Sequence, residues 1–290
     1  MSTNSKPPPP SKAAFFVGLQ KLLPQHGISR LVGRLAASKR KWIATPLIRL
    51  ASYVFNIDLL DAERTEIEDY VSFNDFFTRT LRADARPMPE DPSWIISPVD
   101  GAVSQFGKIE NGNLLQAKGN TYTLDALLGA DPIAKEFRDG YFATIYLAPS
   151  DYHRVHMPFE GILLRWIEIP GALFSVNALT EAALPGLFCR NERLVCVFET
   201  SFGPALVILV GALIVASIET GFASSASPYR ILKTQSPKTE TTMSRGQELG
   251  RFLMGSTVIV CFPPNTVTLD ENIEVGMTTR LGQALARIQP

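Results

Sequence analysis

The chain has 290 residues, of which 46% are hydrophobic and 19% charged, so it is long and apolar enough for one large domain or two small ones with a real core. Its 28 basic and 28 acidic residues cancel, which excludes a nucleic-acid binder that relies on a strongly basic face. The charge is unevenly placed, because residues 1–50 contain nine Lys or Arg and no Asp or Glu. The head of the chain is therefore basic and the remainder acidic.

The head combines a proline-rich start with helical patterning. We expect residues 1–12 to form a disordered polyproline-like tail, because proline fixes φ and lacks an N–H donor. Residues 13–92 are predicted to be mainly helical, since apolar residues recur at helical spacing over 28–35 and again over 47–54. The basic amphipathic pattern fits a membrane-surface helix, an organellar transit peptide or an ordinary helix packed on the body. No secretory signal is expected, because the apolar run at 13–19 is short.

The second region, residues 93–290, is predicted to be rich in β-strands. Its apolar segments are separated by Gly and Pro and indicate strands at 102–109, 141–148, 161–169, 193–199, 204–219 and 256–262. Segment 204–219 is too short to span a bilayer and suits two buried strands. Residues 221–247 are polar and predict a long exposed connection before a final strand at 256–262.

Cysteine and histidine usage argues against disulfides and metal. The three cysteines form no CxxC pair and cannot all be bridged, so we interpret them as small buried hydrophobic residues in a reducing compartment. The chain has only three histidines and therefore few ligands for a zinc site, so no metal site is predicted.

Three short segments contain candidate reactive residues. His153 and His156 stand in DYHRVHMP, directly after an apolar strand, where a scaffold can present reactive groups, although either could be structural. Asp100 lies in the turn SPVDG and could orient one imidazole, although such turns are common for local reasons. The pair Gly255–Ser256 begins a strongly apolar strand, so the serine hydroxyl could reach the preceding carbonyl, or the pair could simply form a bulge.

Together these segments resemble the bacterial phosphatidylserine decarboxylase proenzymes. Seven separated segments bear the likeness in the family's order: residues 97–109, 115–129, 151–158, 170–177, 184–200, 210–220 and 250–260. It extends upstream through LAASKRKW and FNDFFTRTLR, at 35–42 and 73–82. Because these head segments match the family's own amino-terminal region, the transit-peptide interpretation loses support.

The resemblance implies a chain that cleaves itself between Gly255 and Ser256. In the family the cleavage follows Leu-Gly within Leu-Gly-Ser-Thr, and here Met254 replaces the leucine, an apolar change of similar volume that removes no reacting atom. The new amino-terminal Ser256 becomes a covalent pyruvoyl cofactor. The resemblance places the family's charge-relay acid and base on Asp100 and His156, and its nucleophile on Ser256.

The same resemblance implies the reaction and its partners. The pyruvoyl ketone forms a Schiff base with the amine of phosphatidylserine, CO2 leaves, and phosphatidylethanolamine is released, with His153 assisting decarboxylation or proton delivery. The expected partners are the lipid, an anionic membrane surface at the cytoplasmic face of the bacterial cell membrane, and the cleaved chains 1–255 and 256–290 held together in a homo-oligomer.

The sequence therefore predicts an α+β zymogen of phospholipid biosynthesis, with amino-terminal amphipathic helices and a β-rich catalytic domain at 93–290. Two alternatives remain from other classes. One is a Ser-His-Asp hydrolase that uses Ser256 without self-cleavage, and the other is a non-enzymatic protein of the lipid surface.

Overall fold

The helices of the chain are concentrated at its amino-terminal end. The computed structural model describes residues 10–213, 218–223, 228–253 and 256–289. Within these ranges the α-helices are α1 Pro10–Leu22, α2 Gln25–Ala36, α3 Lys41–Phe55, α4 Phe73–Phe77, α5 Leu124–Leu127, α6 Ala178–Ala183 and α7 Leu187–Arg190. Short 3-10 helices occupy Ile67–Asp69, Ala117–Gly119 and Pro132–Phe137. The Ser72 hydroxyl accepts a hydrogen bond from the Asp75 amide and caps the start of α4.

Strands occupy most of the remaining chain. In order they are β1 Trp94–Ile96, β2 Gly101–Lys108, β3 Asn113–Leu115, β4 Thr121–Thr123, β5 Tyr141–Leu147, β6 Arg154–His156, β7 Gly161–Ile169, β8 Arg193–Thr200, β9 Gly203–Val210, β10 Ile218–Thr220, β11 Lys233–Gln235, β12 Thr242–Met243, β13 Glu248–Phe252, β14 Ser256–Phe262, β15 Val267–Leu269, β16 Thr278–Thr279 and β17 Ala284–Ile288. The predicted α+β class is confirmed.

The largest element is a nine-stranded antiparallel sheet in which β14 is an inner strand. The strand order is β11-β7-β8-β9-β14-β5-β2-β16, with β12 also paired to β7. Side chains alternate across β14, so Val258 and Val260 enter one hydrophobic core while Ile259 and Cys261 enter the other. Because both faces of the sheet are covered, β14 is apolar along nearly its whole length. Cys261 is buried and unbridged, as the sequence predicts.

A smaller sheet brings the histidine segment to the chain that precedes β14. Its order is β10-β13-β6, and all of its pairs are antiparallel. The strand β6 ends at His156, which lies opposite Glu248 of β13. Because β13 ends at Phe252, only three residues separate this small sheet from the start of β14.

The helical head, which contains α1 to α4 between Pro10 and Phe77, is anchored on the β-rich region by amide side chains. The Gln20 side-chain oxygen accepts a hydrogen bond from the Ser175 amide at 2.8 Å, and that of Gln25 accepts one from the Leu173 amide at 2.7 Å. Both glutamines are buried, so these bonds satisfy backbone donors that water cannot reach. Apolar residues of α3 and α4 form a third core of their own, which includes Ile48.

The bounds predicted for 161–169 and 256–262 are confirmed, but two predictions about the carboxyl-terminal region are wrong. Segment 256–262 is followed by β15, β16 and β17, which are two to five residues long and too short to show an alternating pattern. The predicted connection 221–247 contains β11 and β12, which pair with β7. Of the predicted tail, Pro10 already begins α1 and residues 1–9 lie outside the described ranges. No helix of the described ranges is long and apolar enough to cross a membrane.

The turn that presents Asp100 depends on a close approach of two backbones. A Cβ atom added at Gly101 would lie 2.3 Å from the Tyr146 carbonyl oxygen of β5. We expect Gly101→Ala to force β2 away from β5, to lower the free energy of unfolding by about 1–3 kcal/mol and to lower the melting temperature in calorimetry. Gly18→Ala is the control, because no atom lies within 4 Å of its added Cβ in α1. An unchanged melting temperature for Gly101→Ala would contradict this packing.

Candidate active site

Asp100 lies in the turn between β1 and β2 and is held by an arginine. Its carboxylate accepts hydrogen bonds from Arg86 on both oxygens and from the Leu281 amide at 2.8 Å. Arg86 also donates to Asp61 at 2.7 Å, so one guanidinium joins two carboxylates. Burial alone would lower the pKa of Arg86, but the hydrogen bonds to Asp100 and Asp61 raise it above its ordinary value.

His156 has both ring nitrogens in hydrogen bonds. Nδ1 lies 2.8 Å from the Gly246 carbonyl oxygen, and Nε2 lies 3.1 Å from the Tyr152 hydroxyl. A carbonyl oxygen only accepts, so Nδ1 carries the proton and Nε2 is left as the basic nitrogen. Burial lowers the pKa of His156, and the bond to Gly246 and the charge of Glu248 partly oppose that shift. The ring is therefore oriented as a neutral base that points Nε2 at a hydroxyl.

His153 is fully buried and has one free ring nitrogen. Its Nε2 donates to the Ala148 carbonyl oxygen at 3.0 Å, whereas Nδ1 has no hydrogen-bond partner among the described residues. The ring stacks on Phe77 of α4 with 4.0 Å between centroids. Burial, with a smaller contribution from the positive charge of Arg79, lowers the pKa of His153 to about 3. At neutral pH this imidazole is uncharged and presents a lone pair at Nδ1.

Ser256 begins β14 with a buried hydroxyl that no described residue satisfies. Its main chain pairs with Leu147 of β5, and the residue is 0% exposed. The Oγ atom has no hydrogen-bond partner within the described ranges. An unsatisfied buried hydroxyl costs about 1–3 kcal/mol of stability. The presence of Ser256 at the first position of an inner strand therefore calls for a functional reason.

The sheet brings His153 and Ser256 to the same strand end. Ala148, whose carbonyl binds His153, directly follows Leu147, which pairs with Ser256. The His153 carbonyl also accepts the Phe252 amide at 3.0 Å, so the chain before the predicted cleavage position is bound to the same segment. His153 is therefore connected both to Phe252, at the end of β13, and to the end of β5 that pairs with Ser256, while residues 254 and 255 lie outside the described ranges.

Asp100 and His156 are neighbours, but their side chains are directed to different partners. The His156 amide donates to the Pro98 carbonyl at 2.9 Å, which places its backbone beside the Asp100 turn. The Asp100 oxygens nevertheless bind Arg86 and Leu281, and the His156 ring binds Tyr152 and Gly246. In the described part of the chain, no hydrogen bond joins Asp100, His156 and Ser256 in series. The predicted residues are therefore assembled in one region without the contacts of a charge relay.

Sequence reasoning missed Arg86 and the role of Tyr152. Arg86 binds carboxylates 14 and 25 positions away in the chain, a separation that no local pattern reveals. Tyr152 lies within the segment DYHRVHMP, but its contact with Nε2 of His156 depends on the turn that precedes β6. Among the described residues, no group of three His, Cys, Asp or Glu side chains is arranged to hold a metal ion.

Comparison with known proteins gives a consistent family. The family model described as phosphatidylserine decarboxylase matches residues 73–287, and a model described as PSD matches residues 15–56. The chain is 48% identical over 279 residues to a phosphatidylserine decarboxylase proenzyme of Aliivibrio fischeri, covering 94% of this chain and 97% of the relative. Proenzymes of the same name from Alcanivorax borkumensis and Vibrio cholerae are 49% and 46% identical, over 92% and 93% of this chain and 93% and 97% of their own lengths.

The matched region includes every residue of the site described above. Asp100, His153, His156 and Ser256 all lie between positions 73 and 287. The match also includes the sheet that supports them, from β1 to most of β17. Nearly full-length identity of almost one half, together with this match, shows that the chain is a decarboxylase and belongs to the phosphatidylserine decarboxylase family.

Proposed function

We propose that this chain converts phosphatidylserine to phosphatidylethanolamine with a pyruvoyl group that it makes from its own Ser256. The buried and unpartnered Ser256 hydroxyl is the observation that best supports this proposal. A serine at this place needs an electrophile close by, and the carbonyl carbon of the preceding residue, Gly255, is bonded directly to the Ser256 nitrogen and can be reached by Oγ through a five-membered ring. Because the target is intramolecular, a high effective concentration replaces substrate binding.

In the proposed maturation, Ser256 Oγ loses its proton to a base and attacks the Gly255 carbonyl carbon. The peptide C–N bond then breaks, the Ser256 nitrogen takes up a proton, and an ester joins the two residues. A base then removes the Cα proton of Ser256 and the Cβ–Oγ bond breaks, so that Gly255 leaves as a free carboxylate. The dehydroalanine that remains tautomerises to an imine, and addition of one water releases ammonia and leaves the pyruvoyl group. We assign the base to His156 and its orientation to Asp100, which requires their side chains to leave the partners described above.

The surroundings of Ser256 fit a pyruvoyl group. When present, a pyruvoyl ketone supplies the electron sink that decarboxylation of an amino acid requires. His153 contributes an uncharged ring whose Nδ1 can accept a hydrogen bond from a reacting group, and Phe77 covers one face of that ring. Burial of both residues excludes water from this part of the site.

Self-cleavage leaves the catalytic domain intact because the sheet joins the two products. The chain that begins at Ser256 contains β14 to β17, whereas β5 and β9, the neighbours of β14, belong to the larger chain. Seven residue pairs with β5 and five with β9 hold β14 in place. The pyruvoyl group would thus remain at an inner position of the sheet.

Our second prediction concerns the covalent state of the mature protein. We expect the purified wild-type protein to run as two chains, residues 1–255 and 256–290, on a denaturing gel, with a smaller chain that Edman chemistry cannot sequence because it has no amino group. Ser256→Ala should remain uncleaved and inactive, because it removes the nucleophile and the source of the ketone together. Intact mass measurement identifies both states.

The matched control is Ser201→Ala, which changes an exposed serine in the turn between β8 and β9 and should be cleaved normally. An active wild-type preparation that contains only the intact chain would exclude the pyruvoyl mechanism. It would favour instead a Ser-His-Asp hydrolase that uses Ser256 without cleavage.

Our third prediction separates the two histidines. His156→Ala and Asp100→Asn should both block cleavage, because the hydroxyl is left without an oriented base. His153→Ala should still yield two chains but turn over phosphatidylserine about 10²-fold more slowly, because it removes a group near the reacting atoms. His26→Ala is the control in the helical head and should behave as wild type in both assays. Normal maturation of His156→Ala, or loss of maturation in His153→Ala, would reverse the assignment.

We further propose that the helical head binds an anionic membrane surface. Large apolar side chains on α1, α2 and α3 are more than half exposed, including Phe15, Leu22, Leu31, Trp42 and Tyr53. They accompany exposed basic residues in a part of the chain that has no acidic residue before position 58. Exposed apolar and basic groups on the same helices are typical of segments that lie in the membrane interface.

Our fourth prediction tests this surface with charge removal. Replacing Arg30, Arg34, Lys39, Arg40 and Lys41 with Gln should weaken binding to phosphatidylglycerol-containing vesicles by up to about 1 kcal/mol per charge at low salt, and by less as salt screens the membrane. Vesicle sedimentation over a range of ionic strengths measures the effect. Self-cleavage should be unchanged, because the scissile bond lies within the chain.

The control replaces as many exposed basic residues of the catalytic domain with Gln: Lys108, Lys118, Lys135, Arg138 and Lys238. This variant should bind vesicles like the wild type. Equal loss of binding in both variants would mean that total charge, and not the helical head, determines membrane affinity.

A further inference from the structure

Arg79 is a buried cation that no carboxylate of the described ranges contacts directly. The residue follows α4 and is only 6% exposed. One terminal nitrogen, Nη2, donates to the Ser150 carbonyl at 3.1 Å, while Nη1 has no hydrogen-bond partner in the described part of the chain. Its guanidinium lies 5.8 Å from the centre of the Phe76 ring. No ion pair with a described carboxylate involves Arg79, in contrast to the neighbouring Arg86.

A buried guanidinium that has no bonded anion lowers the stability of the fold. Guanidinium groups remain protonated in proteins, and a buried charge without a partner is strongly unfavourable. Burial lowers the pKa of Arg79, which reports the same penalty. The Nη1 atom therefore offers an unused donor that water does not reach.

Arg79 lines a polar cleft of about 290 Å³ that also includes Asp100, Ser150 and Tyr152. The two other arginines of the cleft already have acidic partners. Arg86 binds Asp61 and Asp100, and Arg280 lies 3.7 Å from Asp61. Of these three guanidinium groups, that of Arg79 is the buried one with a donor left open within the described ranges, whereas that of Arg280 is largely exposed.

The remaining carboxylates of the cleft, Asp58 and Asp151, favour the Arg79 charge through space but make no ion pair with it among the described residues. Asp58 accepts the Leu60 amide at 3.1 Å, and Asp151 accepts the Ala148 amide at 2.7 Å. Asp151 is also buried, and burial raises its pKa. These acids are occupied by the backbone of their own turns.

The cleft lies beside the proposed reacting residue. Ser150, whose carbonyl binds Arg79, belongs to the turn that follows Leu147, the strand partner of Ser256. Phe77, two residues before Arg79, stacks on His153. Arg79 is thus connected, through Ser150 and Phe77, to the segments that position Ser256 and His153.

We infer that Arg79 binds the phosphodiester of the phosphatidylserine headgroup, an inference that rests on the proposed function. The headgroup offers two anions, a phosphodiester and a carboxylate. The carboxylate leaves as uncharged CO2, so a cation bound to it would stabilise the substrate more than the transition state. The phosphodiester keeps its charge throughout the reaction, and a buried arginine can hold it without opposing the chemistry.

The experiment uses the mature enzyme with Arg79→Gln and Arg79→Lys, with Arg82→Gln as an exposed control from the same segment. Calorimetry measures binding of two probes, dihexanoyl phosphatidylethanolamine, which has the phosphodiester but no carboxylate, and O-hexanoylserine, which has the carboxylate but no phosphate. Arg79→Gln should weaken binding of the first about 10- to 100-fold and raise KM for dihexanoyl phosphatidylserine similarly. It should change binding of the second less than about 3-fold, and Arg82→Gln should leave both within that limit.

Several outcomes would overturn the inference. Unchanged phosphatidylethanolamine binding would show that Arg79 does not bind the phosphate, and weakened binding of O-hexanoylserine alone would move its contact to the carboxylate. Loss of self-cleavage in both Arg79 variants would assign the residue to folding. A wild-type enzyme that fails to decarboxylate phosphatidylserine would instead reject the proposed function, while the phosphatidylethanolamine measurement would still report on Arg79.

Discussion

The pairing of β14 between β9 and β5 is the constraint on which the site depends. It holds Ser256 opposite Leu147, at the point where β5 turns toward the histidine segment. A shift of one residue in this register would turn every side chain of β14 to the other face of the sheet, and Val258 and Ile259 would exchange cores. The two hydrophobic cores therefore fix the position of a single hydroxyl, since they leave β14 only one favourable register.

Three described residues with proposed roles each have an unsatisfied buried polar atom. Within the described ranges, Ser256 Oγ, His153 Nδ1 and Arg79 Nη1 are all buried without a hydrogen-bond partner. Each costs stability, and the large sheet offsets that cost by burying apolar residues on both of its faces. By contrast, Asp100 is fully bonded, because Arg86 and the Leu281 amide hold its carboxylate. The open donor or acceptor at each of Ser256, His153 and Arg79 is the feature on which its proposed role rests.

The helical head has one face that binds the rest of the protein and another that exposes large apolar side chains. Its inner face is tied to the catalytic domain by Gln20 and Gln25, whereas large apolar residues such as Trp42 and Tyr53 remain exposed. A helix whose apolar residues all served the core would not leave such groups in water. This face is what supports the proposal of a membrane surface. The head also contributes directly to the site, because Phe77 of α4 stacks on His153.

The sequence by itself determined the class and most strands of the large sheet, and it predicted which residues react. Buried strands such as 256–262 are long apolar runs, so their bounds could be read from composition, and the residues near positions 100, 153 and 256 stand in segments that resemble one family. Only the tertiary structure decided which groups touch. The strands after Phe262 are too short to leave a periodic signal, and their pairing depends on partners far away in the chain. The bonds from Arg86 to Asp100 and from His153 to Ala148, and the isolation of Arg79, depend on how distant segments fold together, which no local pattern encodes.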